Sequence, residues 1–378
     1  MTAYCRRTLG NWFAVSGNER SYLTTESRSC EWATSPSRGK MSDGLESLRQ
    51  TIERADAALV VGSAAAPTVY PTGFDPLDTY LGGGLRGGEL TLIGGAQGVG
   101  KTTFALQVLR NIVAAGGNAL YFSYEHDSET LLTKIIGIEA AHQTFGAGFD
   151  GITMRQLREV LENAGADTRS LRERIVRLPG GASAIDAVYG YGDRFQIVRA
   201  ATTGTDLATI RRHLLGFARG HFGPHSIVVI DYLQKVVVPT VQPIVEDERV
   251  TLIVEGLKDL ALEFSVPVVA IVAANAEGIA PGARLRIHHL RGSTALGYEA
   301  DVVLLLNEKF NVVARHHLVY DVGNADRFKS YIVLSLEKNR SGIAGVDLEF
   351  RKRFDQGHLE AVGDLVPERL LDERIFTE

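Results

Sequence analysis

The stretch that decides the fold reads Gly95-Ala96-Gln97-Gly98-Val99-Gly100-Lys101-Thr102, with a second hydroxyl at Thr103. It satisfies G-x-x-x-x-G-K-[ST] at every required position. Before it runs Glu89-Leu90-Thr91-Leu92-Ile93-Gly94, whose apolar content predicts a buried strand. After it comes Thr103-Phe104-Ala105-Leu106-Gln107-Val108-Leu109, predicted as an amphipathic helix that Gly116-Gly117 can end. Strand, glycine-rich loop and helix form the context in which this pattern binds phosphate. The glycines let successive backbone N–H groups turn inward, and the helix N-terminus adds its positive dipole end. Lys101 reaches the outer phosphates and Thr102 can ligate Mg²⁺. An ATP site is therefore expected over Gly95, Ala96, Gln97, Gly98, Val99, Gly100, Lys101, Thr102 and Thr103.

Further apolar runs follow at the spacing of an α/β protein. Ala119-Leu120-Tyr121-Phe122-Ser123-Tyr124 ends at Glu125, and Ser226-Ile227-Val228-Val229-Ile230 ends at Asp231. A helix over 250–264 leads into a third run, Val266-Pro267-Val268-Val269-Ala270-Ile271-Val272. Such runs alternating with helical periodicity predict a mostly parallel twisted sheet flanked by helices. Asp231, at the C-terminal edge of a parallel strand beside the loop, can hold Mg²⁺ through water. Between 130 and 220 the signals are weaker: a helix around Met154-Arg155-Gln156-Leu157-Arg158-Glu159-Val160-Leu161, Gly/Ala/Tyr-rich text over 179–193, a short strand over 195–198, and a helix over 206–219.

The chain has 378 residues, 45% hydrophobic and 22% charged, enough for one large core or two smaller ones. No run approaches the roughly 18 apolar residues of a membrane helix, and Arg6-Arg7 has no apolar core behind it, so a cytoplasmic protein is expected. A formal net charge of -5 argues against a protein that coats nucleic acid with its whole surface, while leaving room for a locally basic channel. Cys5 and Cys30 lie in the first forty residues and no C-x-x-C pair occurs, so no structural zinc is expected. Residues 1–40 lack periodicity and read as a disordered leader, with Met41 an alternative start. Residues 41–67 read as a helix plus an Ala/Gly/Pro-rich linker, 68–362 as the nucleotide-binding domain, and 363–378 as an acidic, peripheral tail.

The lead-in Thr72-Gly73-Phe74, Leu77-Asp78 and Gly82-Gly83-Gly84 resembles that of RecA-like ATPases, specifically the group holding the DnaB replicative helicases, RadA and KaiC. Ile230-Asp231-Tyr232-Leu233-Gln234 is similar to the DnaB wording in particular. The resemblance implies a RecA-like P-loop core and assigns Glu125, in the phase of the family's F-S-x-E pattern, as catalytic base. It places Arg291, within Arg284-Leu285-Arg286-Ile287-His288-His289-Leu290-Arg291-Gly292, on the arginine of the loop that grips single-stranded DNA. A structural salt bridge is the other reading of that arginine. The adjacent histidines read as loop residues. The resemblance also makes Lys338 and Arg340, in Lys338-Asn339-Arg340-Ser341-Gly342, trans fingers that enter a neighbouring subunit's ATP site.

Two departures stand out: Val272 and Ala273 replace the family's serine and glutamine, and Gly292 replaces a glutamate. The implied protein is an ATP-hydrolysing, Mg²⁺-dependent ring motor on single-stranded DNA. It is expected to be a homo-oligomer with hexamer as the expected size, and to lack the primase-interacting N-terminal domain. A KaiC- or RadA-like regulatory or repair ATPase that does not unwind DNA is the alternative, favoured by Ala273 and the acidic stretch Glu246-Asp247-Glu248.

Overall fold

The computed structural model describes residues 46–62, 68–145, 151–162, 168–201, 203–220, 225–239, 244–280, 282–314, 317 and 322–371. The expected leader, Met41, linker residues 63–67 and the last seven residues of the tail lie outside the described residues. The chain divides into a unit ending at Arg54 and a unit from Ala55 onward. Of the first, the described part is the opening of helix α1 (Leu48–Val60); everything below belongs to the second.

The lead-in forms a small antiparallel ribbon, β1 (Val69–Tyr70) on β2 (Leu85–Arg86), with α2 (Asp75–Tyr80) between them. Asp78 explains the wording of this segment. Its carboxylate accepts from Thr72 N–H and hydroxyl (2.8 and 2.7 Å) and from Gly73 N–H (3.0 Å). That closure seats Phe74 in the core, its ring centroid 4.9 Å from Phe104 and 5.2 Å from Phe350.

The core elements then follow in chain order. They are β3 (Leu90–Gly95), α3 (Lys101–Ala114), β4 (Asn118–Ser123), α4 (Ser128–Thr144), and three short helices α5 (Met154–Glu162), α6 (Leu171–Ile175) and α7 (Gly181–Tyr191). Next come β5 (Phe195–Arg199), α8 (Leu207–Gly220), β6 (Ser226–Asp231), α9 (Glu246–Phe264), β7 (Val268–Ala273), α10 (Ala295–Glu299) and β8 (Val302–Glu308). Strands β9 (Tyr331–Asn339), β10 (Val346–Arg353), β11 (His358–Leu359) and β12 (Asp364–Leu365) complete one sheet. Its order is β11-β10-β9-β8-β3-β7-β6-β4-β5, with β12 also on β10. The run from β8 to β5 is parallel and the rest antiparallel.

Strands β3, β6 and most of β4 and β7 are buried on both faces, so their side chains sort by parity. Ile93, Tyr121, Val229 and Ile271 join the layer of α3 and α4, while Leu92, Leu120, Val228, Ile230 and Ala270 join that of α8 and α9. Each fully buried aliphatic side chain contributes about 1.5–3 kcal/mol, which makes this two-sided burial the main stabilising term.

Three elements differ from expectation. Helix α9 begins at Glu246 rather than 250, so the acidic triplet Glu246-Asp247-Glu248 is its first turn, where negative charge meets the positive dipole end. The Gly/Ala/Tyr-rich text contains α7, whose Ala184 and Ile185 pack with Ile136 and Ala140 of α4; packing overrides its weak propensity. The described part of the acidic tail is docked rather than peripheral: β12 pairs with β10, and Glu368 forms an ion pair with the buried Lys309 (2.6 Å). Among the described residues no helix is long and apolar enough to cross a membrane.

Candidate functional site

The loop after β3 keeps Gly98 and Gly100 at φ of 80° and 104°, values that only glycine adopts without strain. A Cβ on Gly100 would also stand 2.7 Å from the Phe354 ring. The loop opens a cleft of about 590 Å³ at the C-terminal edge of the parallel strands. Gly95, Gln97, Gly98, Gly100, Lys101, Thr102 and Thr103 line it together with Glu125 and Asp231. Ala96 takes part through its carbonyl, whereas Val99 is buried and packs beneath the loop.

Lys101 Nζ donates to the carbonyls of Gly95 (2.9 Å) and Ala96 (2.8 Å), so its ammonium is held inside the loop's own curve. Burial pushes its pKa down, and the charges of Asp231 and Glu125 oppose that fall. Thr102 Oγ1 donates to Asp231 Oδ2 (2.9 Å), and the Tyr121 hydroxyl donates to the same oxygen (2.5 Å). Burial first, then the Asp231 charge, raises the Tyr121 pKa far above the usual phenol range, so the phenol stays a donor and fixes the carboxylate. Asp231 Oδ1 is buried and has no hydrogen-bond partner. An orphaned carboxylate oxygen beside a threonine hydroxyl fits Mg²⁺, which takes few protein ligands and completes its octahedron with water and phosphate. Asp231 and Thr102 would hold it there. Glu125 lies in the bend between β4 and α4, exposed on the cleft wall, while Asp127 performs the capping of α4 by accepting from Thr130 N–H (2.8 Å).

Lys338 and Arg340 are not in this cleft. Strand β9 runs against β8, and Lys338 pairs with Val303, which pairs with Leu92 near the start of β3. Lys338 Nζ donates to the carbonyls of Gly297 (2.7 Å) and Tyr298 (3.1 Å). Arg340 pairs with Asp301 (3.3 Å) and donates to the Tyr298 carbonyl. Asp301 in turn accepts from Leu90 N–H (2.7 Å), at the end of β3 remote from the loop. Leu90 to Gly95 is five residue steps, about 16 Å of strand. The two cations therefore face away from their own chain's loop.

Arg291 borders a second cavity of about 1010 Å³ and pairs with Glu246 of α9 (3.0 Å), both partly exposed. Ala273, which stands where the resembled family has a glutamine, lines the loop's cleft; its N–H donates to Gln234 Oε1 (3.3 Å). Gln234 Nε2 donates to the Arg291 carbonyl (2.8 Å), and Arg291 N–H donates to the Ala273 carbonyl (2.9 Å). A side-chain amide from the strand-end segment of Asp231 thus ties the cleft to the Arg291 loop. His289 is buried and its Nδ1 accepts from Arg286 N–H (3.0 Å), closing a turn.

Lys134 of α4, Met154 and Arg158 of α5, and Phe354 after β10 also line the cleft, and nothing in the sequence marked them for it. They converge from separate elements at no shared spacing. Phe354 sets the edge of its ring against Gly100 of the loop.

A mostly parallel sheet with a phosphate-binding loop after β3 and carboxylates at the ends of β4 and β6 defines a RecA-like P-loop nucleotide-binding fold. The chain belongs to the DnaB-like helicase C-terminal domain family, whose model matches residues 70–357. It is 23% identical to the replicative DNA helicase DnaB of Haemophilus influenzae, over 93% of this chain and 69% of that protein. It is 27% identical to the DnaB of Treponema pallidum, over 75% of this chain and 54% of that protein. Its fold is similar to that of a solved DnaB-like replicative helicase, at a TM-score of 0.62 and 20% identity, covering 85% of this chain and 68% of that one.

Proposed function

We propose that the chain is an ATP-hydrolysing ring motor of the DnaB type, acting in the cytoplasm on single-stranded DNA. The observation that carries the reading is the Lys101–Thr102–Asp231 constellation, with an unpartnered carboxylate oxygen, facing Glu125 across one cleft. Bound triphosphate draws the Lys101 ammonium off the Gly95 and Ala96 carbonyls. Thr102 and Asp231 would hold Mg²⁺, which would supply charge neutralisation at the outer phosphates. Glu125 orients the attacking water and accepts its proton. Phe354 gives the base an apolar neighbour.

The remaining charge stabilisation comes from Lys338 and Arg340 of an adjacent copy, because their position near the start of β3 denies them their own cleft. Each site then needs two subunits, and a closed homo-oligomer, hexameric by the family's habit, follows. Arg291 contacts the DNA backbone from the ring's channel.

A regulatory ATPase of RadA or KaiC type is the second reading, favoured by Ala273 in place of a polar relay and by the acid at Glu246 beside Arg291. ATPase rate with and without single-stranded DNA, alongside the mass of the assembled species, separates the two. Stimulation by DNA in a ring supports the motor. A rate indifferent to DNA removes it, and a lone subunit with full turnover removes the shared site altogether.

A further inference from the structure

The cleft contains more positive charge than the loop motif explains, and one source is helix α5, which follows α4. Helix α5 is fixed against the cleft at its start. Met154 N–H donates to the Asp355 carbonyl (2.8 Å), in the same turn that places Phe354 against Gly100. The Met154 sulfur fills the space above Gly137 of α4 and Gly357, and Leu157 is buried in the cluster with Ile136. Those two anchors set the rotation of the helix. Met154 and Arg158, four residues apart, fall on one stripe and both line the cleft. Arg155 and Glu159 fall on the outer stripe and pair with each other at 3.8 Å.

Arg158 has neither an ion pair nor a hydrogen bond among the described residues. Lys134, the cleft's other cation outside the loop, is equally without one. Burial pushes the Lys134 pKa down, the charge of Arg158 lowers it further, and Asp231 pulls the other way. Lys134 thus lies within electrostatic range of both Arg158 and the carboxylate that marks the metal end of the cleft. Two neighbouring unpaired cations there repel each other until a polyanion arrives. Because Arg158 is exposed and Lys134 half-buried, the guanidinium is the one that can move to meet it.

We propose that Arg158 is a phosphate ligand acting within its own subunit, engaging the terminal phosphate of a bound nucleoside triphosphate from the α5 wall. This rests on the nucleotide reading of the cleft and adds a discriminator to it. A diphosphate lacks the group that Arg158 takes, so Arg158 sharpens preference for the triphosphate over the product. The planar, permanently charged fork suits that task, and α5 delivers it without a neighbouring copy.

Equilibrium binding of fluorescent ADP and of the non-hydrolysable β,γ-imido analogue of ATP to the full chain tests the assignment. Arg158→Ala is expected to weaken the triphosphate analogue about tenfold and ADP less than about twofold, the loss of one charge-assisted contact. Arg158→Lys should recover part of the loss, and Arg155→Ala, on the outer face of the same helix, should change neither. Thermal melts matching the parent show that α5 is still folded. Equal weakening of both nucleotides, or Arg158→Ala behaving as Arg155→Ala, overturns the proposal. Lys101→Ala is the reference: if it binds both nucleotides normally, the cleft is not a nucleotide site, and that failure is separate from a failure at Arg158.

Discussion

The two ends of the sheet hold their charges in opposite ways. At the loop end, Asp231 Oδ1 is buried without a partner, and Lys134 and Arg158 have no counter-ion among the described residues. At the other end, Asp301 gathers Lys258 (2.7 Å), Arg340 (3.3 Å) and Leu90 N–H (2.7 Å), and Lys338 rests on two carbonyls. One end carries charged groups that its own side chains leave unpaired; the other is satisfied as it stands. Unpaired buried groups cost stability and persist where a ligand completes them. On the proposed shared site, Lys338 would exchange its two carbonyl contacts, and Arg340 its Asp301 pairing, for a neighbouring subunit's phosphates.

The largest expected effect breaks the loop end. Lys101→Ala should remove nucleotide binding and bring hydrolysis to background, read by the same fluorescent-nucleotide titration and by phosphate release. Next in size, Arg340→Ala should cut turnover by about 10³-fold, in the range of other arginine fingers, while leaving nucleotide affinity nearly unchanged. The fold should tolerate it, since Lys258 and Leu90 N–H still hold Asp301. Mixing the two inactive variants sharpens the comparison. A ring in which an Arg340→Ala cleft borders a Lys101→Ala neighbour has one intact loop and one intact finger, so the mixture should regain activity that neither variant has alone. No recovery in a confirmed mixed ring would place the fingers and the loop in one subunit's service, contrary to their position on the sheet.

The third prediction concerns the join between the cleft and the Arg291 loop. Gln234 is buried and serves the backbone of both Ala273 and Arg291. Gln234→Ala strands one donor and one acceptor, and should lower unfolding free energy by about 1–3 kcal/mol in a urea titration. Gln234→Glu keeps the acceptor for Ala273 N–H but places a carboxylate against the Arg291 carbonyl, and should do no better. A Gln234→Ala chain as stable as the parent would mean the loop is held by its backbone bridge alone.

The cleft was legible in sequence wherever chemistry imposes a local spacing. Gly95 to Thr103 announce the loop, and Asp231 and Glu125 are strand-end carboxylates that periodicity can locate. Lys134, Arg158, Met154 and Phe354 were not legible, because α4, α5 and the turn after β10 bring them together across more than two hundred residues with no pattern linking them. Helix α7 was hidden by glycine and tyrosine, whose weak propensity is overruled by packing against Ile136 and Ala140. The start of α9 carried a readable signal, three acids where a helix N-terminus favours them, yet it reads equally well as an acidic loop. The pairing of Arg291 with Glu246 spans forty-five residues and needed the fold.

That pairing carries the smallest prediction. Arg291 is half exposed and Glu246 nearly so, at 54% and 39% of the side chain, and an ion pair so exposed is a weak restraint. On the proposed DNA contact, Glu246 would compete with a phosphate for Arg291 without excluding it. Glu246→Gln removes the competitor while Asp247 and Glu248 still supply negative charge to the first turn of α9. Affinity for a single-stranded oligonucleotide should rise about two- to fivefold at low salt, the scale of an exposed pair. Arg291→Ala should lower affinity and reduce the salt dependence by about 0.7 in the slope of log K against log salt, the value of one phosphate contact on a single strand. The double variant should match Arg291→Ala to the extent that the carboxylate acts through that guanidinium rather than through Arg249, its other partner at 3.7 Å. If Glu246→Gln and Arg291→Ala both leave binding and its slope untouched, the pair is a structural tie between α9 and its loop, and the proposed DNA contact at Arg291 is wrong.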